Sequence, residues 1–115
     1  MSESSGRKDG AGSSLVHKLV KSELEYLFLA LLMRRPMCGT DIIKEIHVKF
    51  GLLLSPGTVY PLLHDLETRG LIQHEPGTKI KIYSTVKGMR QKIKDMLEQR
   101  ISDLKQVIEF LLQGE

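Results

Sequence analysis

The stretch Ser55-Pro56-Gly57-Thr58-Val59-Tyr60-Pro61-Leu62-Leu63-His64-Asp65-Leu66-Glu67-Thr68-Arg69-Gly70-Leu71-Ile72 holds a whole short helix with its start, its stop and the strand that follows. Ser55 is placed to cap the first turn, and Pro56 stands where a missing N–H costs nothing. Val59, Leu62, Leu63 and Leu66 repeat at helical spacing and form a core face. Thr58, Tyr60, Pro61, His64 and Asp65 then fall on flanking or exposed faces. Gly70 ends the helix, and Leu71-Ile72 open an extended run. A helix entered through Ser-Pro-Gly-Thr and left directly into a strand suits a DNA-reading helix followed by a β-wing.

The flanking sequence fits that reading. Upstream, Gly39-Thr40 precede a helix predicted from Asp41 to about Phe50, with Thr40 as candidate N-cap, Gly51 as its stop and Ile42, Ile43 and Ile46 as its apolar face. Leu52-Leu53-Leu54 join it to the next helix as a helix-turn-helix. Earlier still, Ser22-Glu23-Leu24-Glu25 has the pattern of a capping box. The helix it opens runs to about Arg34, is stopped by Pro36, and turns Leu24, Leu27, Phe28, Leu31 and Leu32 to the core. His17-Lys18-Leu19-Val20 reads as a strand, a helical turn or an arm.

Downstream, the runs Leu71–Glu75 and Ile80–Ser84 flank Pro76-Gly77-Thr78-Lys79, a turn sequence. Ile80 and Ile82 alternate with Lys81 and Tyr83, the period of a half-buried strand. A last helix is predicted from about Thr85 to Leu112, with Met89, Ile93, Leu97, Ile101, Leu104, Ile108 and Leu111 spaced by fours and threes. Such a rod is on the order of 40 Å long and overhangs a small domain. A closed two-fold homodimer is the economical cover for its stripe. The other reading folds the stripe back on its own first helix. The expected fold is therefore mostly helical α+β. Residues 1–14 form a disordered tail, 15–84 a winged helix-turn-helix of three helices and a two-stranded wing, and 85–115 a dimerisation helix.

Composition narrows the class of function. The chain has 115 residues, enough for one domain around one core. It is 41% apolar, with no window apolar enough to span a membrane. The start, Met1 to Gly6, lacks the basic and apolar segments of a signal peptide. Cys38 is the single cysteine, which fits a reducing cytoplasm. Net charge is only +3, but Pro76 to Lys94 carries six basic residues (Lys79, Lys81, Lys87, Arg90, Lys92, Lys94) and no acidic one. Beside a reading helix, that run suits phosphate contact better than a merely solvated face.

Catalysis is not expected. His17, His47, His64 and His74 fall on different predicted elements, and no metal cluster, nucleophile–base pair or Gly-rich phosphate loop is present. No cofactor is expected either. Cys38, near a helix start, reads either as a thiol sensor or as a small buried apolar residue, and the second is the commoner fate of a lone cysteine.

The stretch Leu29 to Gly88 resembles the PadR-like transcriptional regulators, a family of phenolic acid decarboxylase regulators. The resemblance is carried by Arg35-Pro36-Met37-Cys38-Gly39-Thr40, Ile42-Ile43-Lys44-Glu45-Ile46, Leu54–Leu63, Leu66-Glu67 and Arg69–Ile72. Cys38 and Thr40 stand where the family pattern has His and Tyr, and the Tyr83–Gly88 junction is one residue shorter than usual. The last helix has no tryptophan, unlike members that sandwich flat ligands. The resemblance implies a homodimeric winged-helix repressor acting on double-stranded DNA. Relatives often respond to small aromatic or drug-like ligands, and a small-molecule effector, where one binds, would sit between the subunits. Leu24, Phe28, Met89, Ile93 and Met96 would wall such a site, although an ordinary core has the same composition.

A recognition helix meets the major groove through its N-terminal turn. That assigns Ser55, Gly57, Thr58 and Tyr60 to DNA, with His64 one turn on as a candidate base reader. Lys79 and Lys81 set the wing on the backbone, and Thr40 and Lys44 clamp phosphate from the preceding helix. Ser55 capping its helix, Tyr60 packing on the wing and His64 merely exposed are the plain alternatives. No Arg or Lys precedes Arg69 in the helix, so the commonest guanine contact is missing and shape and phosphate contacts contribute much of the binding. The competing functional reading is a non-specific DNA-binding or protein-contact module.

Overall fold

The computed structural model describes residues 11–114, with side chains from residue 15 onward. The elements in order are α1 (Ala11–Ser22), α2 (Leu24–Arg34), β1 (Met37–Cys38), α3 (Gly39–Phe50), α4 (Pro56–Thr68), β2 (Ile72–His74), β3 (Ile82–Thr85), a 3-10 turn (Lys87–Met89) and α5 (Arg90–Gln113). This is the mostly helical α+β winged helix expected, with a long C-terminal helix.

The helix stops follow local backbone chemistry. Arg35 precedes proline and is extended at φ −166°, which ends α2. Gly51 (φ 70°) and Gly70 (φ 76°) take the left-handed conformation that closes α3 and α4. After α4 the Leu71 N–H donates to the Leu66 carbonyl at 3.1 Å and the Gly70 N–H to Glu67 at 2.9 Å, a closure that turns the chain directly into β2. Pro61, inside α4, withholds the donor that the Gly57 carbonyl would otherwise receive.

The core is one cluster. Phe28 and Leu29 of α2, Ile42 and Ile46 of α3, Val59, Leu63 and Leu66 of α4, Leu71, Ile72 and Ile93 are essentially inaccessible. The first half of α5 belongs to this core: Ile93 is fully buried, and Met89, Met96 and Leu97 pack beside it. Ile101, Val107, Ile108, Phe110, Leu111 and Leu112 lie beyond it and are exposed. The stripe read as a dimer seam is thus divided. Its start folds back on its own domain, and Ile93 is spent there rather than on a partner.

Several local expectations are corrected. Ser22 does not cap α2; it ends α1, and its hydroxyl donates back to the Leu19 carbonyl at 2.7 Å. The two glutamates of the supposed box are drawn to distant arginines, Glu23 to Arg100 and Glu25 to Arg69. Helix α1 starts at Ala11, within the stretch read as a tail, and Val20 anchors it in the core. Residues 1–10 of that tail lie outside the described residues. Cys38, not Thr40, is the N-cap of α3, and the Asp41 carboxylate accepts its N–H at 3.4 Å. The last helix begins at Arg90 rather than Thr85, because Thr85 is held in β3 opposite Ile72.

The sheet has a third strand that the sequence reading lacked. Its order is β1-β3-β2, both pairs antiparallel, with Met37 opposite Tyr83 and His74 also opposite Tyr83. The inward face of β3 is the reverse of the expected one. Tyr83 and Thr85 are buried, whereas Ile80 (66%) and Ile82 (54%) are exposed. Tyr83 turns inward to meet the His74 ring at 5.4 Å, and a strand has only two faces to choose between.

Two arginines fix α5 to α2. Arg100 donates to both Glu23 carboxylate oxygens (2.7 and 2.5 Å) and lies 5.1 Å over the Tyr26 ring. Arg90 donates to the Thr85 hydroxyl at 2.8 Å and to the Met33 carbonyl at 2.9 Å, closing the end of α2. The hydrogen bonds from Arg100 hold the Glu23 carboxyl below the usual carboxylate range, against the opposing pull of burial. A lowered carboxylate stabilises the fold fully above its unfolded value, about 4.3, and that contribution fades as pH falls through the lower folded value. Between pH 5 and pH 3 the melting temperature of Glu23→Gln is expected to fall less than that of the wild type. Parallel melts of the two proteins over that range check it.

Candidate nucleic-acid interface

The nine residues assigned to DNA from sequence, Thr40, Lys44, Ser55, Gly57, Thr58, Tyr60, His64, Lys79 and Lys81, are all exposed. They come from three places. Thr40 and Lys44 sit one turn apart at the start of α3. Ser55, Gly57, Thr58, Tyr60 and His64 run along the start of α4. Lys79 and Lys81 lie on the wing, between β2 and β3.

Ser55 stands at the N-cap position of α4 with an extended backbone (φ −86°, ψ 154°), but its side chain does not cap the helix. Its carbonyl accepts the Thr58 N–H at 3.0 Å and the Val59 N–H at 3.1 Å. Its hydroxyl lies 3.2 Å from that of Thr58, so the two oxygens share one hydrogen bond at the exposed helix start.

The wing meets the helix-turn-helix across a cleft of about 490 Å³ lined by Cys38, Thr40, Tyr60, Lys79, Ile80 and Lys81. The fold therefore gathers four of the assigned residues, Thr40, Tyr60, Lys79 and Lys81, around one space. Lys44 and His64 stand outside it, farther along their helices. Tyr60, 40% exposed, lies against Gly39 in the first turn of α3, a contact the sequence reading did not anticipate. Cys38 is half-buried beside it, with its sulfur 3.1 Å from the Thr40 hydroxyl.

Behind this surface, charged groups are tied up in holding the frame. Glu67 of α4 pairs with the His74 ring on β2. Burial, with Glu67 and Tyr60 adding negative potential, pushes the Tyr83 phenol up. Arg69 reaches Glu25 at 2.9 Å and Asp65 at 3.2 Å, and Glu25 in particular raises its pKa further. Asp65 and Glu67 thus both have protein partners. Arg90 leaves the basic run for the same reason, since it is committed to Thr85 and Met33. Three of the frame's contacts, Arg69 to Glu25, Arg90 to Met33 and Arg100 to Glu23, join residues 44, 57 and 77 positions apart, which sequence spacing does not reveal.

Residues 28–94 match the model of the transcriptional regulator PadR-like family, more than half of the chain. The chain belongs to that family. This PadR-like chain is 36% identical over 77 residues to a protein named transcriptional activator GvpE1 of Halobacterium salinarum, a match covering 65% of the chain. It is 41% identical over 59 residues to transcriptional activator GvpE of Haloferax mediterranei, covering 51% of the chain. It spans only 40% and 31% of the length of those two curated relatives. The crystal structure of a PadR family transcriptional regulator from Eggerthella lenta superposes with a TM-score of 0.69 at 29% identity, covering 90% of this chain and 94% of that one. PadR-like proteins are transcription regulators and not enzymes. Among the described residues no helix is long and apolar enough to cross a membrane.

Proposed function

We propose that this PadR-like chain works in the cytoplasm as a homodimer on duplex DNA. In this reading α4 enters the major groove, the wing rests on the adjacent backbone, and the outer half of α5 pairs two copies. The observation that carries it is the cleft in which Tyr60 of α4, the first turn of α3 and Lys79 and Lys81 of the wing face one space. Reading helix, helix N-terminus and wing cations are thereby turned toward the same backbone. Because α4 offers no Arg or Lys before Arg69, discrimination between bases is modest and phosphate contacts dominate. That same feature favours, as second reading, a DNA-binding module with little sequence preference.

The resemblance gives repression as the expected sign, whereas the Halobacterium and Haloferax relatives are named activators. One bound dimer blocks a promoter from within it or assists transcription from upstream, so a reporter with the binding site placed in each position reads the sign. For a small-molecule effector, such a dimer offers the apolar hollow of about 270 Å³ between α2 and α5, walled by Leu27, Ala30, Leu97, Ile101 and Leu104. The deeper residues Leu24, Phe28 and Ile93 are closed core.

The test is a titration of the protein against a duplex from upstream of its own gene and a scrambled duplex, at several salt concentrations. Preference for the first, with log affinity falling steeply against log salt, supports the specific regulator. Equal, salt-dependent binding to both supports the second reading. No binding to either at low salt overturns both.

A further inference from the structure

The first turn of α3 contains a contact that the helix itself does not need. A Cβ built on Gly39 would stand 2.5 Å from Oη, 2.6 Å from Cζ and 2.7 Å from Cε1 of Tyr60. The phenol ring of α4 therefore lies on the α3 backbone, in space that any other residue's side chain would occupy. Gly39 is buried, and it is not one of the positive-φ glycines, which are Gly51, Gly70 and Gly77. Its backbone suits any L-residue, and helix propensity alone favours alanine there. What the missing side chain accommodates is the Tyr60 ring.

We propose that Gly39 is a positioning residue for DNA binding, seating the Tyr60 phenol beside Lys79 and Lys81 so that hydroxyl and lysines hold one backbone phosphate together. The inference rests on the duplex-binding reading above. A ring already seated on α3 loses little rotational freedom when DNA arrives, so its hydrogen bond to the phosphate is made at low entropic cost. With alanine at 39 the ring must leave its seat, and the hydroxyl leaves the cleft with it.

The experiment compares the wild type, Gly39→Ala, Tyr60→Phe and the double variant by anisotropy titration of a duplex that the wild type binds, with a thermal melt of each. Gly39→Ala and Tyr60→Phe are each expected to weaken binding about tenfold, the size of one hydrogen bond to a charged group. The double variant is expected to lose no more than either single one, because both changes remove the same contact. Gly39→Ala is expected to melt at or above the wild-type temperature, which a merely structural glycine would not allow. Wild-type affinity in Gly39→Ala, or losses that multiply in the double variant, would overturn the proposal. If Gly39→Ala fails to fold, wild-type affinity in Tyr60→Phe overturns it alone. A wild type that binds no duplex removes the functional reading itself, a result separable from all of these.

Discussion

Lys79→Glu combined with Lys81→Glu is expected to weaken duplex binding on the order of 10²-fold at low salt and to flatten the log–log salt dependence by about 2. Both lysines are exposed on the wing and line the cleft that faces Tyr60 and Thr40. Each phosphate contact made by a cation releases counterions, so two lost contacts shallow the slope by roughly 0.9 apiece. Reversal adds repulsion to that loss. Neither side chain holds the frame, and the melting temperature should stay where it was. Arg90 is the internal control from the same acid-free run. Committed to Thr85 and the Met33 carbonyl, it should cost stability when removed while leaving the salt slope unchanged. Unaltered affinity after the double reversal would take the wing out of the interface.

The second large effect is expected from α5. Ile108 and Leu111 are 55% and 66% exposed in the single chain, one helical step apart on its outer half. Ile108→Asp with Leu111→Asp places two charges in the proposed seam, where neither finds a partner. Sedimentation should then report one chain in place of two, and the circular dichroism of the folded domain should persist, because neither residue touches the core. Binding to a palindromic site should fall by about 10²–10⁴-fold, the advantage of engaging both half-sites at once. A double variant that still sediments as two chains would move the dimer contact elsewhere, with the exposed Leu15, Val16 and Leu19 of α1 as the next surface to alter.

What was legible in the sequence was set by neighbours in the chain. Pro36 ends α2 by restricting the residue before it, and Gly51 and Gly70 close α3 and α4 by taking the left-handed conformation themselves, so the bounds of α4 were readable almost to the residue. What was not legible depends on residues far apart. Two residues, Met37 and Cys38, carry no periodicity, and they become a strand only because β3 passes beside them. The alternation of Ile80 and Ile82 suggested an inward face that the pairing of Tyr83 with His74 and Met37 reverses. Ser22 had the right chemistry for a cap, yet Arg100 and Arg69 claimed both glutamates around it. For the candidate site, residue types and order were readable, while the seat of Tyr60 on Gly39, 21 positions earlier in the chain, was not.

The grip of Arg100 on Glu23, and of Arg90 on the end of α2, makes the last helix a ruler clamped at its root. Beyond Arg100 its last 13 residues extend about 20 Å, so a tilt of about 10° at the clamp carries the tip about 3 Å. In the dimer proposed here, loosening that clamp would change which gap between half-sites the protein prefers, and leave its hold on either half-site alone intact.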